Sequence, residues 1–383
     1  MRLAGIISYV CNRFEICFHE FCAVETNYLF FMKAIMSILS WGVKGSLCLW
    51  AVMTASVLWA QEHKEDGKTG TEKLRVGGTV RAKYEYQPDS GSGRFEVRNC
   101  RLAVTGRVVP MVGYKAEIDL SDEGTLRMLD AYVKLTPLKR LDFTIGQMRV
   151  PFAIDVHRSP HLQYFANRSF LAKQVGDVRD VGAMLAYILP FSSCPFTLEG
   201  GVFNGSGLTG QKHFWTAGYN YSLKASALVC DRVGITLSAQ HIRPDHVGIM
   251  IWNAGAYWHS GRWHAEGEYL RKQYSEGAFS GVNAVDAFAC YTYPVRKRLS
   301  GISFLGRYDY MDDHSKGVAG DDSRLHIDDA RRHRATAGVT LHFGYKASVL
   351  DVRMNYEKYF YDSGAEPSVS ERDKVVVEFM CHF

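Results

Sequence analysis

Past residue 60 the sequence has no apolar run of the length a membrane-crossing helix needs. Nor does any stretch repeat its apolar residues with a helical period. This argues against a helical membrane protein beyond that point, whereas a barrel, whose spanning strands alternate, stays open. Charge of one sign is missing too: 45 Lys and Arg stand against 40 Asp and Glu, a net +5 in 383 residues. That balance leaves no electrostatic case for nucleic acid as a partner. Cysteine is sparse. Four of the nine (Cys11, Cys17, Cys22 and Cys48) precede the expected mature start, and Cys100, Cys194, Cys230, Cys290 and Cys381 are scattered, without metal-ligand spacing. They read as small apolar residues, with room for one disulfide.

Motifs of chemistry are missing as well. "GSGLTG" (205–210) matches the dinucleotide pattern, but "QKHFWTAGYNYSL" follows it and reads as a strand. The helix that would hold a pyrophosphate is therefore absent, and the segment is a glycine-rich loop. His259 and His264 flank "SGRW" in a tight turn without a third ligand at compatible spacing. The acid-rich stretch 309–332 lacks the EF-hand spacing and reads as a solvated outer loop. No G-x-S-x-G stands out among the abundant His, Ser and Asp. No catalytic residue, metal or cofactor is therefore expected.

What the sequence does have is aromatics (13%), 35 glycines, and strict alternation. "KVVVEFMCHF" places Val375, Val377, Phe379 and Cys381 on one face and Lys374, Glu378 and His382 on the other. "LRVGGTVRAKYEY" does the same, setting Val76, Val80, Ala82 and Tyr84 against Arg75, Thr79, Arg81 and Lys83. About sixteen such segments follow one another: 73–87, 95–108, 112–120, 127–137, 139–149, 181–190, 195–204 and 213–223 in the first half. The second half reads 234–243, 248–259, 261–273, 282–293, 300–312, 331–343, 348–361 and 373–383. The connections separate by length. Even-to-odd links are mostly short ("VPMV", "TPLKR", "HSG", "GYKA"), whereas 150–180, 204–212, 313–330 and 362–372 are the long ones and all run odd to even. The expected fold is all-β: a transmembrane antiparallel β-barrel of about sixteen strands, with short periplasmic turns and long extracellular loops. Aromatics near strand ends, Trp258, Trp263, Tyr308 and Phe383 among them, fit interfacial girdles.

The first residues read as an address. From Met32, Lys33 and Lys44 precede the apolar "SLCLWAVMTASVLWA", and a polar stretch follows. Segment 32–60 is the layout of a secretory signal peptide cleaved after Ala60. Residues 1–31 sit upstream of it, as they would if translation began at Met32. Residues 61–72 read as a flexible segment before a barrel over 73–383.

"LDAYVKLTPLKRLDFTIGQMRVPFAID" resembles the phosphate-selective porin O and P family of Gram-negative outer membranes. The resemblance is carried by Asp130–Tyr132, Thr136–Leu138, Gly146–Gln147, Arg149 and Pro151–Phe152, with Arg179, Asp180 and Gly182 in "VRDVGAMLAY". It implies a sixteen-stranded outer-membrane porin, often a homotrimer, passing small solutes by passive diffusion, with an anion preference as the further expectation. A terminal aromatic such as Phe383 is read by the barrel assembly machinery in outer-membrane barrels generally.

The longest loop, 150–180, has the place of an inward-folded constriction loop. With the preceding Arg149 it carries Arg158, Arg168, Lys173 and Arg179 against Asp155, Asp177 and Asp180. These five cations are the candidate solute-binding groups, since an arginine fork suits oxyanions and a basic ring suits an anion pore. The alternative for each is pairing with nearby acids or fixing the loop. His157 and His161 are expected to add charge at low pH. The wall is mixed, Arg81, Arg101, Lys134, Arg307, Arg334 and Arg353 against Glu117, Asp130, Glu266, Glu268, Asp309 and Glu357, so general diffusion is the expectation. A barrel enzyme of lipase or protease type, or a non-conducting adhesive barrel, is the alternative.

Overall fold

Arg81, Lys83 and Glu85 are buried, while Val80 and Tyr86 on the same strand are exposed. This reverses a soluble sheet and suits a strand with lipid on its apolar face and a hydrated lumen on its polar one. In the computed structural model the pattern repeats around a closed antiparallel barrel of sixteen strands. The structure describes residues 74–383 except 123–124, 174–177, 192–193, 246, 296–298, 346–347 and 363. The upstream stretch 1–31, the expected signal segment 32–60 and the segment 61–72 lie outside the described residues.

The strands are β1 (Arg75–Gln87), β2 (Ser92–Val109), β3 (Val112–Asp122), β4 (Thr125–Leu138), β5 (Leu141–Arg149), β6 (Arg179–Leu189), β7 (Phe196–Phe203) and β8 (Asn220–Val229). They continue as β9 (Val233–Ile242), β10 (Ile249–Ser260), β11 (Trp263–Tyr274), β12 (Val282–Pro294), β13 (Gly301–Met311), β14 (Arg332–Tyr345), β15 (Ser348–Tyr361) and β16 (Lys374–His382). Each pairs with its sequence neighbours, and β1 with β16 closes the cylinder from Thr79↔His382 to Tyr86↔Val375. Among the described residues no helix is long enough to cross a membrane; the strands do the crossing. Phe95, Leu185, Leu237, Trp252 and Phe304 are exposed in the lipid-facing belt, and Trp263, Tyr293 and Phe383 ring its turn end. Cys100, Cys230, Cys290 and Cys381 carry free thiols.

One strand is misplaced by the sequence reading. Residues 213–223 were expected as the eighth strand, but β8 runs Asn220–Val229 and residues 211–213 form a short 3₁₀ turn. The aromatic alternation of "HFWTAGYNY" belongs largely to the outer loop. The following turn is only Cys230–Arg232, with Cys230 (φ 49°) and Asp231 (φ 55°) both left-handed. Tight hairpins of that geometry usually announce themselves with Asn-Gly or Asp-Gly. Cys-Asp gives no such signal.

Closure depends on a glycine. Gly78 and Phe383 exchange backbone hydrogen bonds of 2.8 and 3.1 Å, and the Phe383 ring lies so close over Gly78 that an added Cβ would sit 2.5 Å from it. Gly106 similarly lies under the Tyr114 ring. Gly78→Val should therefore push the ring away and cost about 2 kcal/mol through overpacking. The yield of heat-modifiable folded barrel on refolding should fall; an unchanged yield would remove Phe383 packing from barrel closure.

Candidate functional site

β5 ends at Arg149 and the chain turns into the lumen instead of returning directly. The loop is tied at its base by Val150 N–H to Val178 C=O (3.1 Å). Its apolar side chains then have only the barrel wall to pack against. Phe152, Val156, Phe170 and Leu171 join Ile249, Ile251, Leu270, Val282, Ala284 and Met311 of β10–β13 in one buried cluster. A second cluster sets Phe165 against Phe288, Cys290 and Leu305. Burying each large side chain contributes roughly 1.5–3 kcal/mol.

Polar anchors fix the rest. Ala153 has a left-handed backbone (φ 55°), and its N–H donates to Ser238 Oγ at 3.0 Å. Glu268 then accepts from the N–H of Ile154 and of Asp155, both at 2.8 Å. Across the barrel, Arg81 donates to Gln163 Oε1 (2.8 Å) and the Ala166 carbonyl (2.7 Å), while Asn167 donates to Glu357 (2.9 Å). Arg307 and Arg334 donate to the carbonyls of Asn167 (3.0 Å) and Arg168 (2.7 Å). The wall formed by β2, β3 and β4 carries ion pairs of its own. There Arg101 lies 3.0 Å from Asp119, Lys115 2.5 Å from Asp130, and Arg179 2.6 Å from Asp130. These wall cations are matched by carboxylates.

The five expected cations are not equivalent. Arg158 is spent on Asp155 (3.1 Å) and Glu266 (2.6 Å). Arg179 is spent on Asp130 and Glu117. Arg149 donates to the His157 carbonyl (2.6 Å), and Arg168 to those of Asp155 (2.6 Å) and Arg158 (2.8 Å). Among the described residues neither Arg149 nor Arg168 has a carboxylate at ion-pair distance, and both are half-buried. The two lie near enough to feel each other's charge and those of Arg179 and Arg101. Lys173 closes a short 3₁₀ turn, Leu171–Lys173; its side chain lies outside the described residues.

The histidine expectation is corrected. Burial, followed by the charge of Lys224, pushes His157 down to about 3, and its Nε2–H donates to the Val150 carbonyl at 2.7 Å. Burial, followed by His382 and Arg353, pushes His161 down to about 4. Both therefore stay neutral where a free histidine would be half charged. Burial works to raise Asp155, but Arg158, Arg168 and Arg307 outweigh it and hold the carboxyl below the usual range. Sequence reasoning also missed the anchors: Glu268, Arg334 and Glu357 read as wall charge, and their role in holding the loop has no local signal.

A sixteen-stranded barrel with an apolar outer belt, a charged lumen and an infolded loop after the fifth strand is an outer-membrane porin, a passive diffusion channel for small hydrophilic solutes. Residues 74–220 match the family model described as phosphate-selective porin O and P. No curated protein sequence matches the chain. Among solved structures it is similar to the anion-selective porin of Comamonas acidovorans, at 12% identity and TM-score 0.58, over 81% of this chain and 98% of that one. It is also similar to Salmonella typhi OmpF in complex with daunomycin (12%, 0.56, 83% and 100%). A third is Pseudomonas putida OprB at high pH (11%, 0.57, 81% and 93%).

Proposed function

We propose that the channel favours small anions over cations, and that Arg149 and Arg168 are the groups responsible. The observation that carries this is that neither has a carboxylate at ion-pair distance among the described residues, whereas Arg158 and Arg179 do. Arg149 spends one of its five N–H donors on a loop carbonyl and Arg168 three, which leaves the rest for a passing anion. In a water-filled constriction with low-dielectric walls, one unmatched charge sets the local ion population. Arg158 and Arg179, also expected as solute ligands, serve this reading by fixing the loop that presents Arg168. The anion-selective porin among the structural neighbours is consistent with it.

The zero-current potential of the refolded chain in a planar bilayer under a KCl gradient tests the proposal. Its sign should report chloride preference, and Arg149→Gln/Arg168→Gln should lower the chloride-to-potassium permeability ratio roughly threefold. A cation-selective wild type, or a double variant with unchanged potential, would reject it. Phosphate titrated into the same recording shows whether oxyanions dwell long enough to reduce the current.

The family match and the fold are those of channels, and we read the chain as having no catalytic activity. The assembly we infer is a homotrimer, in keeping with Vibrio cholerae OmpT, which has been solved in a trimer form. Phe383, exposed beside the closing strand pair, is the element we expect the barrel assembly machinery to read.

A further inference from the structure

The loop from β7 to β8 opens with "NGSGLTG" and leaves the barrel mouth on its outer side. Gly205, Gly207 and Gly210 are left-handed (φ 85°, 62° and 75°), so the chain can turn sharply at each. Gly205 N–H donates to Asp180 at 2.6 Å, which pins the loop to the head of β6. Leu208, Gln211 and Lys212 then line a groove of about 600 Å³ against Met128, Ala131 and Val181. Ala131 alternates with Asp130 and Tyr132 of the lumen and shares its face with Gln147 and Val181. The groove therefore lies on the outer wall of β4–β6.

Under the loop this wall is polar. β4 bulges at Leu129, where Glu117 pairs with Asp130 and Ile118 with Met128. Gln147 Nε2 donates to the carbonyls of Met128 (2.5 Å) and Leu129 (2.8 Å), and Gln211 Nε2 donates to Gln147 Oε1. Acyl chains offer such a cluster no partner, whereas a protein surface does. The aromatic girdle is interrupted at the same place. Outward-facing Tyr86, Tyr221, Trp252, Tyr269, Tyr308 and Tyr356 mark the outer ends of β1, β8, β10, β11, β13 and β15. Beyond Phe95 of β2, the described residues of β3–β7 carry Leu120, Met128, Gln147, Val181 and Val202 there instead. Elsewhere a strand without Tyr or Trp at this level sits between two that have one. Tyr and Trp belong where a wall meets lipid headgroups, so a run of strands without them reads as a wall covered by protein.

The same loop carries a knob. Phe214–Tyr219 returns toward β8 and β9, where Arg243 N–H donates to Asn220 Oδ1 at 3.0 Å. On this return Trp215 is 94% exposed, an aromatic anchor that its own chain hardly covers. The knob, between β7 and β8, and the groove, centred on β5, lie about 2.5 strands apart, which is about 56° around a cylinder of sixteen strands. Each copy in a closed ring of three meets its two neighbours about 60° apart, against about 90° in a ring of four.

We propose that β3–β7 form the contact between copies of this chain, with Trp215 of one copy seated in the neighbour's groove over Met128, Gln147 and Val181. This contact rests on the homotrimer inferred above and gives it a surface. It is heterologous, one copy's knob against the next copy's groove, and it closes after three copies.

Chains refolded together from two differently tagged batches, Trp215→Cys in one and Met128→Cys in the other, test it. A short bismaleimide should join the two tags in one product. Neither variant mixed with tagged wild type should give that product, which excludes the native cysteines. Trp215→Ala changes an exposed loop residue, and heat-modifiable mobility verifies that its barrel is folded. It should weaken each contact between copies roughly thirtyfold, read as dissociation of the oligomer on dilution in detergent. A wild-type trimer that gives no cross-linked product, or a Trp215→Ala variant that dissociates like wild type, would reject this surface and leave the homotrimer standing. A wild-type chain that stays monomeric in lipid vesicles would reject both. Quenching of Trp215 by brominated lipid, read against Trp215→Phe, would then assign the groove to lipid.

Discussion

Arg334→Ala should lower the unfolding free energy of the barrel by about 3 kcal/mol, the loss typical of breaking a buried ion pair from one side. Arg334 is 1% exposed and ties three parts of the lumen together. Its guanidinium reaches Asp309 (2.9 Å) and Glu357 (3.4 Å), donates to the Arg168 carbonyl (2.7 Å), and lies 4.6 Å over the Phe170 ring. Removal leaves Asp309 with Arg307 (2.9 Å) and Glu357 with the more distant Lys374 (3.9 Å) as their cations at ion-pair distance among the described residues, beside neutral donors from Phe170, Asn167 and Tyr359. It also leaves the Arg168 carbonyl unanswered. Salt should recover little, because charges this deep are poorly screened. Arg334→Lys keeps the charge but not the planar fork, so it should restore only part of the loss. Urea titration of the folded barrel in lipid vesicles reads the difference. An alanine variant within about 0.5 kcal/mol of wild type would mean the carboxylates are hydrated and the cluster is not a structural node.

The barrel was legible because lipid and lumen impose one period on every strand. β15 falls at its expected bounds, Ser348–Tyr361, and most others within a few residues. The failure at β8 shows the limit. Alternation continues into an outer loop when the loop is aromatic, and the tight Cys230–Asp231 turn carries no glycine to stop the strand where it does stop. A second signal was present and went unread. On β10, Ile249 and Ile251 point inward while Met250 and Trp252 point outward, so both faces are apolar. An apolar inner face in a water-filled barrel means that something fills the lumen at that depth. Here it is Phe152, Phe170 and Leu171 of the loop.

The site was legible only as charge. Five cations could be placed near the constriction, but which of them remain unmatched depends on contacts across the whole chain. Arg158 finds Glu266, 108 residues away, and Arg179 finds Asp130, 49 residues away. A list of signs along a loop contains neither distance.

Glu268→Ala should free the loop without unfolding the barrel. Its carboxylate is 3% exposed and accepts from two consecutive backbone N–H groups, of Ile154 and Asp155, and from Asn253 (3.2 Å). A methyl group leaves those donors buried and unmet, at a combined cost of about 3 kcal/mol. That cost falls on the docked loop alone, because the undocked loop meets water. The left-handed Ala153 just before it adds about 1 kcal/mol of strain that undocking relieves. Together they move the docked-to-undocked balance by about a thousandfold. If the anchored loop is favoured by less than that, the channel should show larger mean conductance, more open-channel noise and weaker ion selectivity, as Arg168 leaves the passage. Glu268→Gln should fall between, since one amide oxygen can accept only part of what two carboxylate oxygens hold, and its nitrogen faces a donor. Wild-type conductance and noise in a folded Glu268→Ala channel would assign the anchoring to the apolar cluster around Phe152 and Phe170. The carboxylate would then be a passenger of the packing, not its lock.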